Sequence, residues 1–281
     1  GTGTTGSSGH LGGGSGATPA GTANAFRIFT LADGEDQNSA CAEGTNGLLT
    51  SGSANNLRWE VSNVNNAKGT FTLLIRRGDD TNRRKTILEQ YNNLTLDPTT
   101  PNYIARAIGD QKFTMRDSGT NDPFLQLSGS FPNRSRYVRV EVTNTTYKYL
   151  DENGDVRDGS LSGSLPIASS GSFSGGSDGN VKHPRAFYDE ISNTNTQGFN
   201  LGVATEGKTA YTDAIRLLKN QDEYDINLIT LPGLVDNFTN HAEIITEALN
   251  MCEDRSDCFL VYDPVEYASA LSTATAKAES R

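Results

Sequence analysis

The residue types that most often carry chemistry are scarce in this chain: its 281 residues include only three histidines, three cysteines, two methionines and one tryptophan. The cysteines, Cys41, Cys252 and Cys258, are odd in number and lack the close paired spacing of a zinc site or a redox dithiol. A disulfide framework is therefore not expected. Cys252 should fall on a helix and Cys258 in the strand after it, where reduced thiols behave as small apolar side chains. His10 and His183 have no carboxylate or cysteine at ligand spacing, so neither a metal nor any other cofactor is expected. Basic residues are also short, with Lys+Arg 24 against Asp+Glu 34 and a net charge of -10. Such a surface repels phosphate backbones and anionic headgroups, which excludes nucleic acid and membrane surfaces as expected partners. No apolar run approaches the roughly 20 residues of a bilayer span, so direct membrane insertion is not expected. No charged segment precedes an apolar one at the N-terminus, and a soluble chain without an export signal is the expectation. Because it starts at Gly1 and ends in a small-residue run, it is expected to be a piece of a longer protein.

Glycine, asparagine, serine and threonine are plentiful, with Gly 29, while the hydrophobic fraction is 35%. Much of the chain must therefore be loop, with the core concentrated in a few segments. The reading divides it into a flexible Gly/Ser/Thr-rich segment at 1–21, a β-rich portion at 22–182, and an α/β portion at 183–281. The fold class expected is α/β in the mixed α+β sense, a βαβ unit beside a β-rich portion with long Gly/Ser-rich loops. The run GTGTTG at 1–6 matches a dinucleotide fingerprint on paper, but no strand precedes it and no helical pattern follows. It reads as a glycine tract.

Period-two alternation begins at Leu57, Trp59 and Val61 and resumes at Phe71, Leu73 and Ile75 after a turn at 65–69, which predicts a β-hairpin. A third strand is expected over 85–91 and another over 137–142. Thr100 and Pro101 read as the N-cap and first turn of a helix with Tyr103, Ile104, Ala107 and Ile108 on one face, closed by a left-handed Gly109. A short helix is expected over 184–191. Further on, Thr209 should cap a helix carrying Tyr211, Ala214, Ile215 and Leu218, followed by a strand at 226–231 that Pro232 and Gly233 close. Asn240 and Glu243 resemble a capping box for a helix whose stripe is Ile244, Ile245, Ala248, Leu249 and Cys252. A strand at 259–262 then completes the βαβ unit, with parallel pairing.

No convincing catalytic set emerges. The pieces GSLSG at 159–163 and GSFSG at 171–175 miss a nucleophile elbow because Leu161 and Phe173 stand at the central position. His241 and Asp263 lie near the carboxyl ends of the strands, where an open parallel sheet places ligands, and define an enzyme alternative of α/β-hydrolase type. Against it, His241 lines up with the apolar stripe of its helix. The charged cluster Arg76, Arg77, Asp79, Asp80, Arg83 and Arg84 reads either as a solvated turn or as a contact patch between identical subunits.

These residues also carry a resemblance. NLRWEV at 56–61, GTFTLLIRRGDD at 69–80, LDP at 96–98 and NYIARAIG at 102–109 resemble, in order and spacing, the tail sheath proteins of contractile-tailed bacteriophages of the myovirus type. So do SGGSDG at 174–179, DINLITLPG at 225–233 and CEDRSDCFLVYDP at 252–264. The resemblance implies a non-enzymatic virion protein, made in the host cytoplasm, that forms stacked hexameric rings in a helical sheath and contracts to drive an inner tube through the host envelope. It implies as partners further copies of the chain, a tail tube protein, and baseplate and tail terminator proteins. A sheath from a phage-derived contractile injection system fits the same residues. The N-terminal arm and C-terminal region of such subunits have no counterpart in these residues.

Overall fold

The computed structural model describes residues 16–17, 25–31, 57–78, 80–117, 123–173, 189–197, 201 and 207–280. The GTGTTG run, Cys41, Asp79, the SGGSDG motif, His10, His183 and most of the helix expected over 184–191 lie outside them. The fold is mixed α+β, with antiparallel sheets and one parallel pair.

The first core is built on antiparallel pairing. Strands β1 (Gly16–Ala17), β2 (Phe26–Thr30) and β8 (Val138–Val142) form one sheet. Of the segment 1–21 only Gly16 and Ala17 are described, and they pair with Phe29 and Ile28. A second sheet has the order β5-β4-β3-β9, from β3 (Leu57–Asn65), β4 (Thr70–Arg77), β5 (Ile87–Leu94) and β9 (Ser169–Ser172). The expected hairpin is present: Trp59 opposes Ile75 and Val61 opposes Leu73, so one face of each strand is apolar and fully covered. Phe26 stacks on Phe71 at 5.5 Å between ring centroids and joins the two sheets. Between β5 and β8 lie α1 (Ile104–Ile108) and the hairpin of β6 (Lys112–Arg116) with β7 (Phe124–Ser128).

Several local expectations are corrected. Helix α1 starts at Ile104 because Asp97 organises the preceding turn: its Oδ1 accepts from Thr99 N at 2.9 Å and from Thr99 Oγ1 at 2.6 Å, while Thr100 N donates to Asp97 O at 3.1 Å. Tyr103 then bridges to Thr95, leaving Thr100 outside the helix. Gly109 closes it with φ 116 and ψ 150, a positive-φ conformation open to glycine but not the left-handed helical one. Residues 159–172 are not simply loop. Gly159–Ser164 is a 3-10 helix capped by Asp158, and β9 pairs with β3 so that Gly171 lies opposite Trp59. A Cβ at Gly171 would stand 2.9 Å from the indole, so only glycine lets the tryptophan lie across this strand. Its Nε1 donates to Ser172 O at 3.3 Å.

The second core gathers α2 (Gly207–Leu218), β10 (Leu228–Val235), α3 (Thr239–Arg255) and β11 (Phe259–Asp263), followed by α4 (Leu271–Glu279). Strands β10 and β11 pair in parallel, Leu228 with Phe259 and Thr230 with Val261, with α3 as the crossover, so the βαβ unit is present. The stripe of α3 buries Ile244, Ile245, Ala248 and Cys252 as read from the sequence, together with His241, Met251 and Arg255. Four expectations fail here, the first being that Thr209 caps α2, since it lies within that helix. Strand β10 is not closed by Pro232 and Gly233 but runs through them to Val235; Gly233, at φ +80, takes up the register shift between Thr230 and Val235. Helix α3 has Phe238 at its N-cap with no side-chain capping bond, so Asn240 is already helical. Asp189 to Ile191 are not helical; Ile191 N donates to Gly233 O at 2.8 Å.

Candidate functional site

The charged turn after β4 divides into a buried and an exposed half. In β4 residues alternate faces, so Arg76 points away from the Trp59 side, and there it is only 1% exposed. Its Nε and Nη2 donate to the two carboxylate oxygens of Asp80, each at 2.7 Å, a bidentate arrangement. Its Nη1 donates to Glu60 Oε2 at 2.8 Å, and Lys85 Nζ reaches the other Glu60 oxygen at 2.6 Å. Thr86 N donates to Asp80 Oδ2 at 3.0 Å, which ties the start of β5 to the knot and delays that strand to Ile87. The Asp80 hydrogen bond, against the cost of burial, holds the Arg76 guanidinium above its ordinary pKa. Arg76 and Asp80 are therefore corrected: they cannot touch a neighbouring subunit, because the hairpin itself consumes their hydrogen bonds and covers them. Arg77 is half-buried and also has an internal interaction. Among the described residues of the cluster, Arg83 and Arg84 remain at the surface, on a tight turn in which Thr81 N donates to Arg84 O and Arg84 N to Thr81 O.

The second place to look is the carboxyl end of β10. His241 is buried in the first turn of α3, where its Nδ1 accepts a hydrogen bond from Val235 N at 3.0 Å and its ring meets Phe238 edge-on at 5.1 Å. The histidine thus satisfies a backbone donor that the register shift leaves off the β ladder. Burial lowers its pKa, opposed by the Ile191 backbone and the charge of Glu190, so the ring is neutral. A cleft of about 390 Å³ opens beside it, lined by Ile191, Leu201, Phe238 and Asn240 among others. Asp263 does not line that cleft; its backbone carbonyl accepts from Asp236 N at 2.9 Å. The suggested His241 and Asp263 pair is not brought together there, and the ring nitrogen a base would use is occupied by Val235. Among the described residues, no group of three or more His, Cys, Asp or Glu could hold a metal, and no helix is long and apolar enough to cross a membrane.

A third feature was not legible from motifs. The outer face of the β10–β11 pair carries Leu228, Val261 and Phe259, exposed by 62%, 55% and 79%, while Ile229, Leu231, Leu260 and Tyr262 on the other face pack into the core. Parallel strands are ordinarily covered on both faces. The β6–β7 hairpin likewise exposes Phe113, Phe124 and Leu127. The runs LITL and FLVYD are nearly continuous in apolar residues, as in parallel strands covered on both faces; only their burial alternates, so the sequence did not signal the bare half.

Compared with the models of known protein families and with curated proteins, the chain matches none.

Proposed function

We propose that the chain is a structural subunit of a contractile tail sheath, which polymerises helically around a tail tube and contracts to drive that tube through a host cell envelope. The observation that carries this reading, beside the resemblance of its motifs, is the uncovered apolar face of Leu228, Val261 and Phe259 on a parallel pair. A subunit destined to be surrounded by copies of itself leaves such faces for neighbours to cover, and head-to-tail contacts that do not close by rotation build open helical assemblies. The neutral, backbone-bonded His241 supports a non-enzymatic role. Its partners on this reading are further copies in stacked hexameric rings, the tail tube protein, and the baseplate and terminator proteins at the two ends, all within the virion. Arg83 and Arg84 are the residues of the charged cluster that remain available for contact between subunits.

Electron microscopy of the full-length product tests the reading: long striated tubes are expected, and a dispersed monomer or small closed oligomer would overturn it. Reversing Arg83 and Arg84 together to glutamate should impair tube formation while leaving the circular dichroism spectrum unchanged. Normal tubes from that variant would remove these two residues from the contact.

A further inference from the structure

Cys252 closes the buried stripe of α3 in its last turn, and Cys258 immediately precedes β11; their sulfurs are 3.3 Å apart. The sequence reading, which saw no dithiol spacing, missed this because the intervening chain turns back on itself. That turn is held from several sides. Ser256 takes the left-handed conformation at φ 60 and its N donates to Cys252 O at 2.8 Å. Arg255, its side chain 1% exposed, donates to Leu218 O at 2.6 Å, to Tyr224 O at 2.9 Å, and through two nitrogens to the Asp257 carboxylate at 2.8 Å each. Gln221 Nε2 returns a bond to Arg255 O at 2.6 Å. The two thiols therefore face each other because α2, the following loop and α3 fix the turn between them.

We propose that Cys252 and Cys258 are a thiol–disulfide modification site, which a small disulfide of the glutathione class converts to an intrachain cystine. This rests on the two thiols and their surroundings alone, and it stands whether or not the chain assembles. Cys258 is half-buried and Cys252 buried, so the incoming disulfide meets Cys258 first. The Arg255 guanidinium, held above its ordinary pKa first by Asp257, also interacts with the Cys258 sulfur, and it is the deprotonated thiol that reacts. That thiolate attacks one sulfur of glutathione disulfide, forming a mixed disulfide and expelling one glutathione thiolate, which takes up the proton Cys258 released. Cys252 is the resolving group because its sulfur is only 3.3 Å away; burial, followed by the neighbouring Cys258, pushes its thiol up to about 12, which makes this second step the slower one. Its sulfur displaces the second glutathione from Cys258, and the Cys252 proton leaves on that glutathione. Two protein S–H bonds are lost, one S–S bond forms, and one glutathione disulfide is reduced to two glutathiones. The bond ties the end of α3 to the start of β11 across residues 253–257.

The test uses the full chain with Cys41→Ser, incubated natively with glutathione disulfide and read by intact mass, maleimide labelling and thermal unfolding. The expected result is loss of two hydrogens, protection of both thiols until a reductant is added, and a thermal midpoint raised by about 5 °C. Cys258→Ser in the same background should acquire no internal bond and show no rise. Two free thiols after treatment, or a persistent glutathione adduct on Cys258, would overturn the proposal. If Cys258→Ser fails to fold, the labelling of the unsubstituted pair still decides.

Discussion

The two cores of this chain close themselves to different degrees. In the β-rich part, Leu57, Phe71, Leu73 and Ile75 are fully covered, and even a guanidinium is enclosed with its counter-charges. In the α/β part, one face of the sheet is packed against helices and the other, among the described residues, leaves Leu228, Phe259 and Val261 exposed. The charged pairs differ in part: the α/β part also encloses a guanidinium, Arg255, but its partner Asp257 is 42% exposed and the pairs between α2 and α3 lie outside. Lys208 with Glu243, Arg216 with Glu247 at 3.4 Å and Lys219 with Asp254 at 2.7 Å run along the solvent side of α2 and α3, where such pairs contribute little. The lesson is that burial against the chain's own residues sets where stability resides, and exposure marks where the remaining binding energy lies.

The largest effect should come from breaking the enclosed charges. Arg76→Ala leaves the Asp80 and Glu60 carboxylates without their shared cation and is expected to destabilise the chain by about 3–5 kcal/mol in urea unfolding. A loss below about 1 kcal/mol would mean that water reaches this knot as freely as it reaches the α2–α3 pairs.

A smaller effect sharpens the contrast through pH. The folded His241 has a pKa below the ordinary 6.5, so below that value the unfolded chain binds a proton that the folded chain resists. Its contribution is therefore fully present above pH 6.5 and declines as pH falls towards the folded value, with a slope of at most about 1.4 kcal/mol per pH unit. The urea midpoint should drop between neutral pH and pH 5, and less so in His241→Gln. An equal drop in both proteins would assign the dependence to other groups.

The smallest effect is expected on the bare face. Phe259→Ser should change the stability of the isolated chain by no more than about 0.5 kcal/mol, since the ring is already in water. A much larger loss would show that the chain itself covers this face in solution.

How much of this was legible follows from which residues dominate locally. The hairpin of Leu57 to Ile75 and the stripe of α3 were readable because one face of each is continuously apolar, and periodicity alone then sets the element. The start of α1 was not, because the acceptors of Asp97 outcompete a plausible Thr100 cap. Strand β9 was hidden by its composition: SSGS has no apolar pattern, and its place is set by Trp59, more than a hundred positions earlier. Pro232 and Gly233 signal a stop in sequence, yet become a bulge because β11 and Ile191 supply partners on either side. At the candidate sites, the charged cluster was visible but its inward half was not, since opposite charges a turn apart look alike whether solvated or enclosed. The meeting of Cys252 and Cys258 depended on the left-handed Ser256, which no spacing rule anticipates.

The enclosed Arg76 also acts as a ratchet tooth for the hairpin. If β4 slid by a single position along β3, every side chain of the strand would exchange faces, and Arg76 would leave the face that Glu60 occupies. Such a slip parts the guanidinium from Glu60 and turns Phe71, Leu73 and Ile75 out of the core, so charge pairing and packing both oppose it. The enclosed ion pair and the apolar face thus specify one and the same register.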